Sequence, residues 1–230
     1  SDRVNVGYAA LEMRADLGFS ATVFGLGAGM FFVGYVFFEV PSNLILEAVG
    51  ARWWIARIMV SWGLLTACMV FVHTATGFYV LRCLLGFAEA GFFPGIIYYL
   101  TFWIPARDRA RASAWFLTST SLSGVIGGPL AGWIMGLKGT LGLAGWQWLF
   151  LLEGLPAALL GLVVLRRLDD RVEDAAWLPG ADRTWLRARI AREHATVRGE
   201  HAAGLLAALT SGRVWHLCLT YFALIISYYG

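Results

Sequence analysis

The sequence predicts an all-α, polytopic membrane protein: a bundle of six helices, the first cut short, then a connecting loop and the beginning of a seventh. Three observations carry this reading. Of the 230 residues, 59% are hydrophobic and only 14% are charged, whereas a soluble domain carries about a quarter charged residues. The mean hydropathy is +0.66. Apolar runs of about 20 residues, the length that crosses a bilayer as a helix, recur along the chain.

Residues 1–11 read as the end of a first span. The second span is expected at roughly 21–47, the third at roughly 53–72 and the fourth at roughly 77–103. The fifth follows at roughly 110–136 and the sixth at roughly 146–165, and a seventh starts near Arg213. The chain thus divides into a transmembrane bundle over 1–165, a loop over 166–212 and the start of the seventh span over 213–230. It reads as a fragment, open at both ends.

Basic residues set the orientation. Arg52 and Arg57 lie at the connection between spans 2 and 3, and Arg107, Arg109 and Arg111 at that between spans 4 and 5. The loop after span 6 holds Arg166, Arg167, Arg171 and further arginines. The other side offers only Arg14, beside Glu12 and Asp16, with His73 and Lys138. Basic loops stay in the cytoplasm, so these three connections face it. The expected location is the inner, cytoplasmic membrane, and the lipid bilayer is the first partner. In the long loop, Leu186 and Ile190 share one face of a helical pattern and Arg189 and Glu193 form an i,i+4 pair on another, an amphipathic helix lying on the surface.

Several readings are excluded. The chain opens on Ser1-Asp2-Arg3 without the basic and apolar regions of a secretory signal. Cys68, Cys83 and Cys218 lie in apolar stretches and read as reduced, small apolar residues. The four histidines fall in loops or at span ends, so no metal site is expected. Gly25-Leu26-Gly27-Ala28-Gly29 lies inside an apolar helix with no preceding strand, so it is not a dinucleotide loop; Gly25 and Gly29 read as a packing ridge. No cofactor and no nucleic acid are expected. Trp53, Trp54, Trp103, Trp146 and Trp148 read as interfacial anchors.

The chemistry concentrates in span 4. Arg82 and Glu89 stand seven residues apart in a stretch otherwise apolar enough to lie in lipid. Seven residues are about two helical turns, which places both on one face roughly 10 Å apart. A charge at the centre of a membrane helix costs about 2.5–3.5 kcal/mol. Two such charges, with Gly86 leaving room between them, read as the lining of a polar cavity. Span 5 carries Gly124, Gly128 and Gly132 at i+4 spacing with Pro129, a pattern that lets helix backbones approach in lipid. Thr118, Ser119, Thr120, Ser121 and Ser123 form a hydroxyl cluster in mid-helix; such groups commonly bond the carbonyl one turn back. Glu39 reads as a gate or interface residue, and Glu153 as pairing with backbone or a neighbouring helix.

On these residues the chain resembles the N-terminal half of a major facilitator superfamily transporter, within its anion:cation symporter family. Asp2-Arg3-Val4-Asn5-Val6-Gly7 resembles the family's helix 1 signature, Arg82 to Pro94 its helix 4 signature, and Gly124 to Gly132 its helix 5 motif. The stretch Pro41 to Arg52 resembles the superfamily's loop motif between helices 2 and 3 in degenerate form, with Asn43 in the place of the first Gly, Glu47 in that of Asp and Ala48 in that of Arg. The family includes permeases for tartrate, phthalate, hydroxyphenylacetate and sugar acids.

The resemblance implies a six-helix N-terminal bundle of a twelve-helix major facilitator fold, with substrate held between two bundles. It implies that Arg3 and Arg82 bind a substrate carboxylate and that Asp2 and Glu89 carry protons. It also places Tyr35 and Thr120 where sugar-acid carriers touch substrate. Asp2 and Arg3 diverge by about 100° on a helix, so one of the two can be structural. The physics agrees: an arginine in lipid needs negative charge at every stage, and an entering carboxylate competes with a resident acid for its planar fork. The expected function is secondary active transport, proton-coupled symport of a small organic anion by alternating access, with sodium as the less favoured ion. A proton-coupled exporter and a carrier-derived sensor remain the alternatives. With no nucleophile–base or metal pair at mid-membrane depth, an enzyme is not expected.

Overall fold

The computed structural model describes the backbone of residues 2–200 and 210–229, and the side chains of 6–193, 195 and 210–224. Nine helices follow one another among the described residues: α1 (Asp2–Leu17), α2 (Ala21–Val49), α3 (Ala51–Cys68), α4 (Ala75–Glu89), α5 (Phe92–Trp103), α6 (Ala106–Met135), α7 (Gly145–Arg167), α8 (Gly180–Glu200) and α9 (Gly212–Tyr229). Single 3-10 turns occupy Met69–Phe71, Thr140–Gly142 and Val172–Asp174. No strand occurs among the described residues. The chain is all-α and polytopic, as the composition requires.

Local chemistry sets the boundaries. Gly18 takes a left-handed turn (φ 67°) that ends α1. Ser20 then caps α2, its Oγ accepting from the Val23 amide at 3.3 Å, and Thr74 caps α4 through the Gly77 amide at 3.1 Å. Such caps satisfy amides that have no partner inside the helix. Gly50 (φ 99°) turns α2 directly into α3, and Pro105 precedes α6.

Span 4 differs from the continuous helix expected at 77–103. It breaks at Ala90–Gly91 into α4 and α5, with Gly91 left-handed at φ 82°. The cause is local: glycine adopts that conformation freely, and Pro94 falls in the first turn of α5, where no amide hydrogen is required. Hydropathy saw one span because, Glu89 apart, the residues around the break are apolar.

Four stretches are long and apolar enough to cross a membrane among the described residues: Ala21–Val49, Ala51–Phe71, Ala75–Trp103 and Gly145–Arg167. The expected fifth span, α6, has 30 residues, long enough at about 1.5 Å per residue. Its hydroxyls, glycines and basic N-terminal end lower its hydropathy below that of the four.

Two compact units appear, Ser1–Arg187 and Ala188–Gly230. In the first, the core gathers Met13 of α1, Phe24 and Phe31 of α2, Phe78 and Leu85 of α4, Ile134 of α6, and Trp146 and Phe150 of α7. The α3–α7 crossing is glycine-lined: a Cβ at Gly63 would meet the Gly154 carbonyl at 2.5 Å, and one at Gly154 the Gly63 carbonyl at 2.5 Å. Small residues allow such backbone approach where lipid offers no hydrophobic drive. In the second unit, Ile190 is buried and Arg189 Nε pairs with Glu193 Oε1 at 3.1 Å.

Three expectations about packing change. Among the described residues a Cβ at Gly25 or Gly29 would meet nothing within 4 Å; Gly27 is the glycine in contact, against the Phe78 ring. The α6 glycines Gly124, Gly127 and Gly132 likewise meet nothing among the described residues, and Gly128 meets only Tyr8, at 3.3 Å. Trp146 is no interfacial anchor. It is 2% exposed, and its indole Nε1 donates to Asp16 Oδ2 at 3.0 Å. Its backbone amide donates to Glu12 Oε2 at 2.9 Å, and Lys138 Nζ pairs with Glu12 Oε1 at 2.9 Å. The polar end of α1 therefore caps α7, which is why α1 runs on to Leu17 rather than stopping at 11.

Candidate functional site

The site is built on the seam between α2 and α4. Gly27, Phe31 and Gly34 recur at i, i+4 and i+7, a single helix face. Facing them, α4 presents Phe78, Arg82, Cys83 and Gly86. A Cβ at Gly34 would strike the Cys83 carbonyl, and one at Gly86 the Phe31 carbonyl and the Tyr35 amide. Gly86 thus opens no cavity between Arg82 and Glu89, contrary to the expectation. The space is taken by the backbone of α2, and glycine is there to admit it.

Arg82 lies in this seam at 3% exposure. Its Nε donates to the Gly27 carbonyl at 3.4 Å, and its guanidinium carbon stands 4.9 Å from the centroid of the Phe31 ring. A cation over an aromatic face gains about 2 kcal/mol when desolvated. Phe31 also stacks on Tyr35, with ring centroids 5.9 Å apart at 29°. Arg82 and Tyr35, singled out separately in the sequence, meet through one buried ring.

Glu89 is half-buried at the last residue of α4, immediately before the helix break. The break is held by a residue that the sequence did not single out. Ser42 of α2, 0% exposed, donates from Oγ to the Ala90 carbonyl at 2.7 Å and accepts from Trp54 Nε1 of α3 at 2.9 Å. A Cβ at Gly91 would run into this hydroxyl. One side chain therefore joins α2, α3 and the α4–α5 junction. No sequence signal marks it, because its partners lie 12 and 48 residues away.

Thr120 stands apart on α6. It is exposed, and its Oγ1 donates to the Leu117 carbonyl at 2.6 Å. Thr118, Ser119 and Ser123 bond their own helix in the same way, at 2.6–2.9 Å. Asp2 and Arg3 open α1; their side chains lie outside the described ones. No group of three metal-ligating side chains occurs among the described residues.

At the start of α3, the loop after α7 packs onto the bundle. Asp170 Oδ1 accepts from the Arg52 amide at 2.7 Å, capping the start of α3. Tyr99 of α5 donates to the Asp169 carbonyl at 2.9 Å. Trp177 donates to Asp169 Oδ2 at 3.1 Å and stacks on Trp103 with the rings 10° from parallel.

Comparison with known proteins places this arrangement. The family model described as Major Facilitator Superfamily matches residues 2–230. A protein carrying the provisional name tartrate transporter, from Agrobacterium vitis, is 57% identical over 221 residues, covering 96% of this chain and 51% of that protein. A quinolone resistance transporter from Acinetobacter baumannii is 44% identical over 229 residues, covering 100% of this chain and 53% of that protein. The crystal structure of a bacterial homologue of the human lysosomal transporter Spinster, inward-facing and occupied, superposes with a TM-score of 0.67. It does so at 20% identity over 74% of this chain and 41% of that one, and so shares the fold. The chain spans about half the length of the curated relatives it matches. With its match running from residue 2 to residue 230, this multi-pass membrane chain belongs to the major facilitator superfamily of transporters.

Proposed function

We propose that the whole protein is a proton-coupled symporter of a small organic carboxylate, working by alternating access in the cytoplasmic membrane, and that this chain is its N-terminal half. The carrying observation is Arg82: a permanent cation, 3% exposed, set in a membrane-spanning stretch beside Tyr35 and two turns from Glu89. Lipid offers no counter-charge, so such a cation is matched by a resident acid or by a travelling anion. Its planar fork pairs carboxylates in a bidentate way that an ammonium does not. In this reading Arg82 and Arg3 bind the carboxylate, Tyr35 and Thr120 contact the rest of the substrate, and Asp2 and Glu89 exchange the proton. The relative named for tartrate supports a hydroxylated dicarboxylate as the first anion to test.

The relative named for quinolone resistance favours a second reading, a proton-coupled exporter. One experiment separates the two. Full-length protein in proteoliposomes takes up tartrate when an inward proton gradient is imposed, and Glu89→Gln abolishes accumulation while keeping tartrate exchange. Arg82→Lys lowers uptake at least tenfold because the fork is lost. Tartrate uptake driven equally well without a proton gradient, or unchanged in Glu89→Gln, rejects the symport reading. Proton-driven quinolone efflux establishes the exporter.

A further inference from the structure

We infer that Phe31 is the positioning residue of the site: its ring face holds the Arg82 guanidinium and, through Tyr35, fixes the spacing of the groups that grip the anion. The inference rests on the reading of Arg82 as the anion's partner. Three observations carry it. Phe31 is fully buried, with the guanidinium carbon of Arg82 4.9 Å from its centroid. The same ring stacks on Tyr35 at 5.9 Å. The backbone of Phe31 is pinned in turn, because its carbonyl occupies the space that a Cβ at Gly86 would fill, so the ring has a fixed base.

The ring and the carbonyl act on the orientation of the guanidinium. A π face and the Gly27 carbonyl attract the guanidinium but carry no net charge. They orient it before the anion arrives, so an entering carboxylate meets a fork that is already in place. Preorganisation of this kind raises affinity by removing the ordering cost from the binding step. Phe31 touches no substrate in this account; it acts through Arg82 and Tyr35.

The test varies the ring's electrons at constant shape. Phenylalanines carrying one, two and three ring fluorines are placed at position 31 of the full-length protein, and tartrate affinity is measured by calorimetry. Affinity falls stepwise with fluorination, reaching about tenfold at three fluorines, the equivalent of about 1.4 kcal/mol. Phe31→Leu weakens binding to a similar degree, and Phe31→Tyr, which keeps the face, restores it to within about threefold, a difference under 1 kcal/mol. A structural role predicts lower thermal stability for Phe31→Leu with affinity flat across the fluorinated series; that result, or affinity rising with fluorination, overturns the inference. Arg82→Lys is measured alongside. If it weakens tartrate binding while the fluorinated series is flat, Phe31 alone is misassigned. If Arg82→Lys binds as the wild type does, or the wild type does not bind tartrate, the reading of Arg82 fails and the role of Phe31 falls with it.

Discussion

Replacing Gly86 by alanine tests the α2–α4 seam at its narrowest point. The added Cβ would lie 2.8 Å from the Tyr35 nitrogen and 3.0 Å from the Phe31 carbonyl carbon, and closer still to the Phe31 oxygen. All three are backbone atoms and cannot rotate aside. Comfortable contact begins near about 3.5 Å, so the two helices must part by on the order of 1 Å. Overpacking of this kind costs up to about 3 kcal/mol, offset by about 1 kcal/mol from alanine's better helix propensity. The net loss of about 2 kcal/mol lowers the unfolding midpoint by about 4–8 °C for a bundle of this size. The same separation draws Tyr35 away from Arg82, so on the proposed function tartrate uptake falls through KM. Gly25→Ala is the control, since its Cβ meets nothing within 4 Å among the described residues and alanine there gains up to about 1 kcal/mol. Thermal unfolding of both variants in detergent, with uptake in liposomes, reads the difference. A Gly86→Ala midpoint no lower than that of Gly25→Ala would refute the close approach and the geometry built on it.

Three further outcomes are expected. Ser42→Ala strands a buried Ala90 carbonyl and the Trp54 indole; at about 1–3 kcal/mol for each unsatisfied group, it destabilises more than Trp54→Phe, which removes only one bond, and equal midpoints would contradict this. Asp170→Ala removes the acceptor at the start of α3 and costs about 1 kcal/mol, whereas Asp170→Asn keeps an acceptor and recovers most of it; thermal unfolding of the pair decides. The Glu12 carboxylate, by hydrogen bond and charge, holds the Lys138 ammonium above the usual lysine range. A raised lysine stabilises the folded state below its unfolded value of about 10.4 and loses that contribution as pH climbs through the higher folded value. Wild type therefore shows an alkaline loss of stability beginning above about pH 10.4, and Lys138→Ala lacks that part of it; parallel pH profiles would reject the pairing.

Much of the architecture was legible because lipid imposes simple rules: apolar length fixed α2, α3 and α7. The division of span 4 was harder to read. Its signals, Gly91 followed by Pro94, were present, but they lay inside a predominantly apolar run that hydropathy scores as one helix. Which glycines pack depended on rotational phase, and tertiary contact selected Gly27 and Gly34 over Gly25 and Gly29. At the site, Arg82 and Glu89 stood out by residue type and Tyr35 only through the family resemblance, and helix geometry placed Arg82 and Glu89 on one face. Phe31 and Ser42 did not stand out, since a phenylalanine and a serine in a membrane helix are ordinary and their roles arise from partners far away in sequence. The small residue expected to hold a cavity open, Gly86, instead draws two helices together.

The two parts of the fourth crossing are moored to different things. The half bearing Arg82 is clasped by α2 along a zipper of glycines. The half ending at Trp103 is tethered through Tyr99 to the strap that leaves α7. Between them stand a single left-handed glycine and one serine hydroxyl. The strap therefore bears on α5 and, through Asp170, on the start of α3, on the other side of that glycine from the guanidinium.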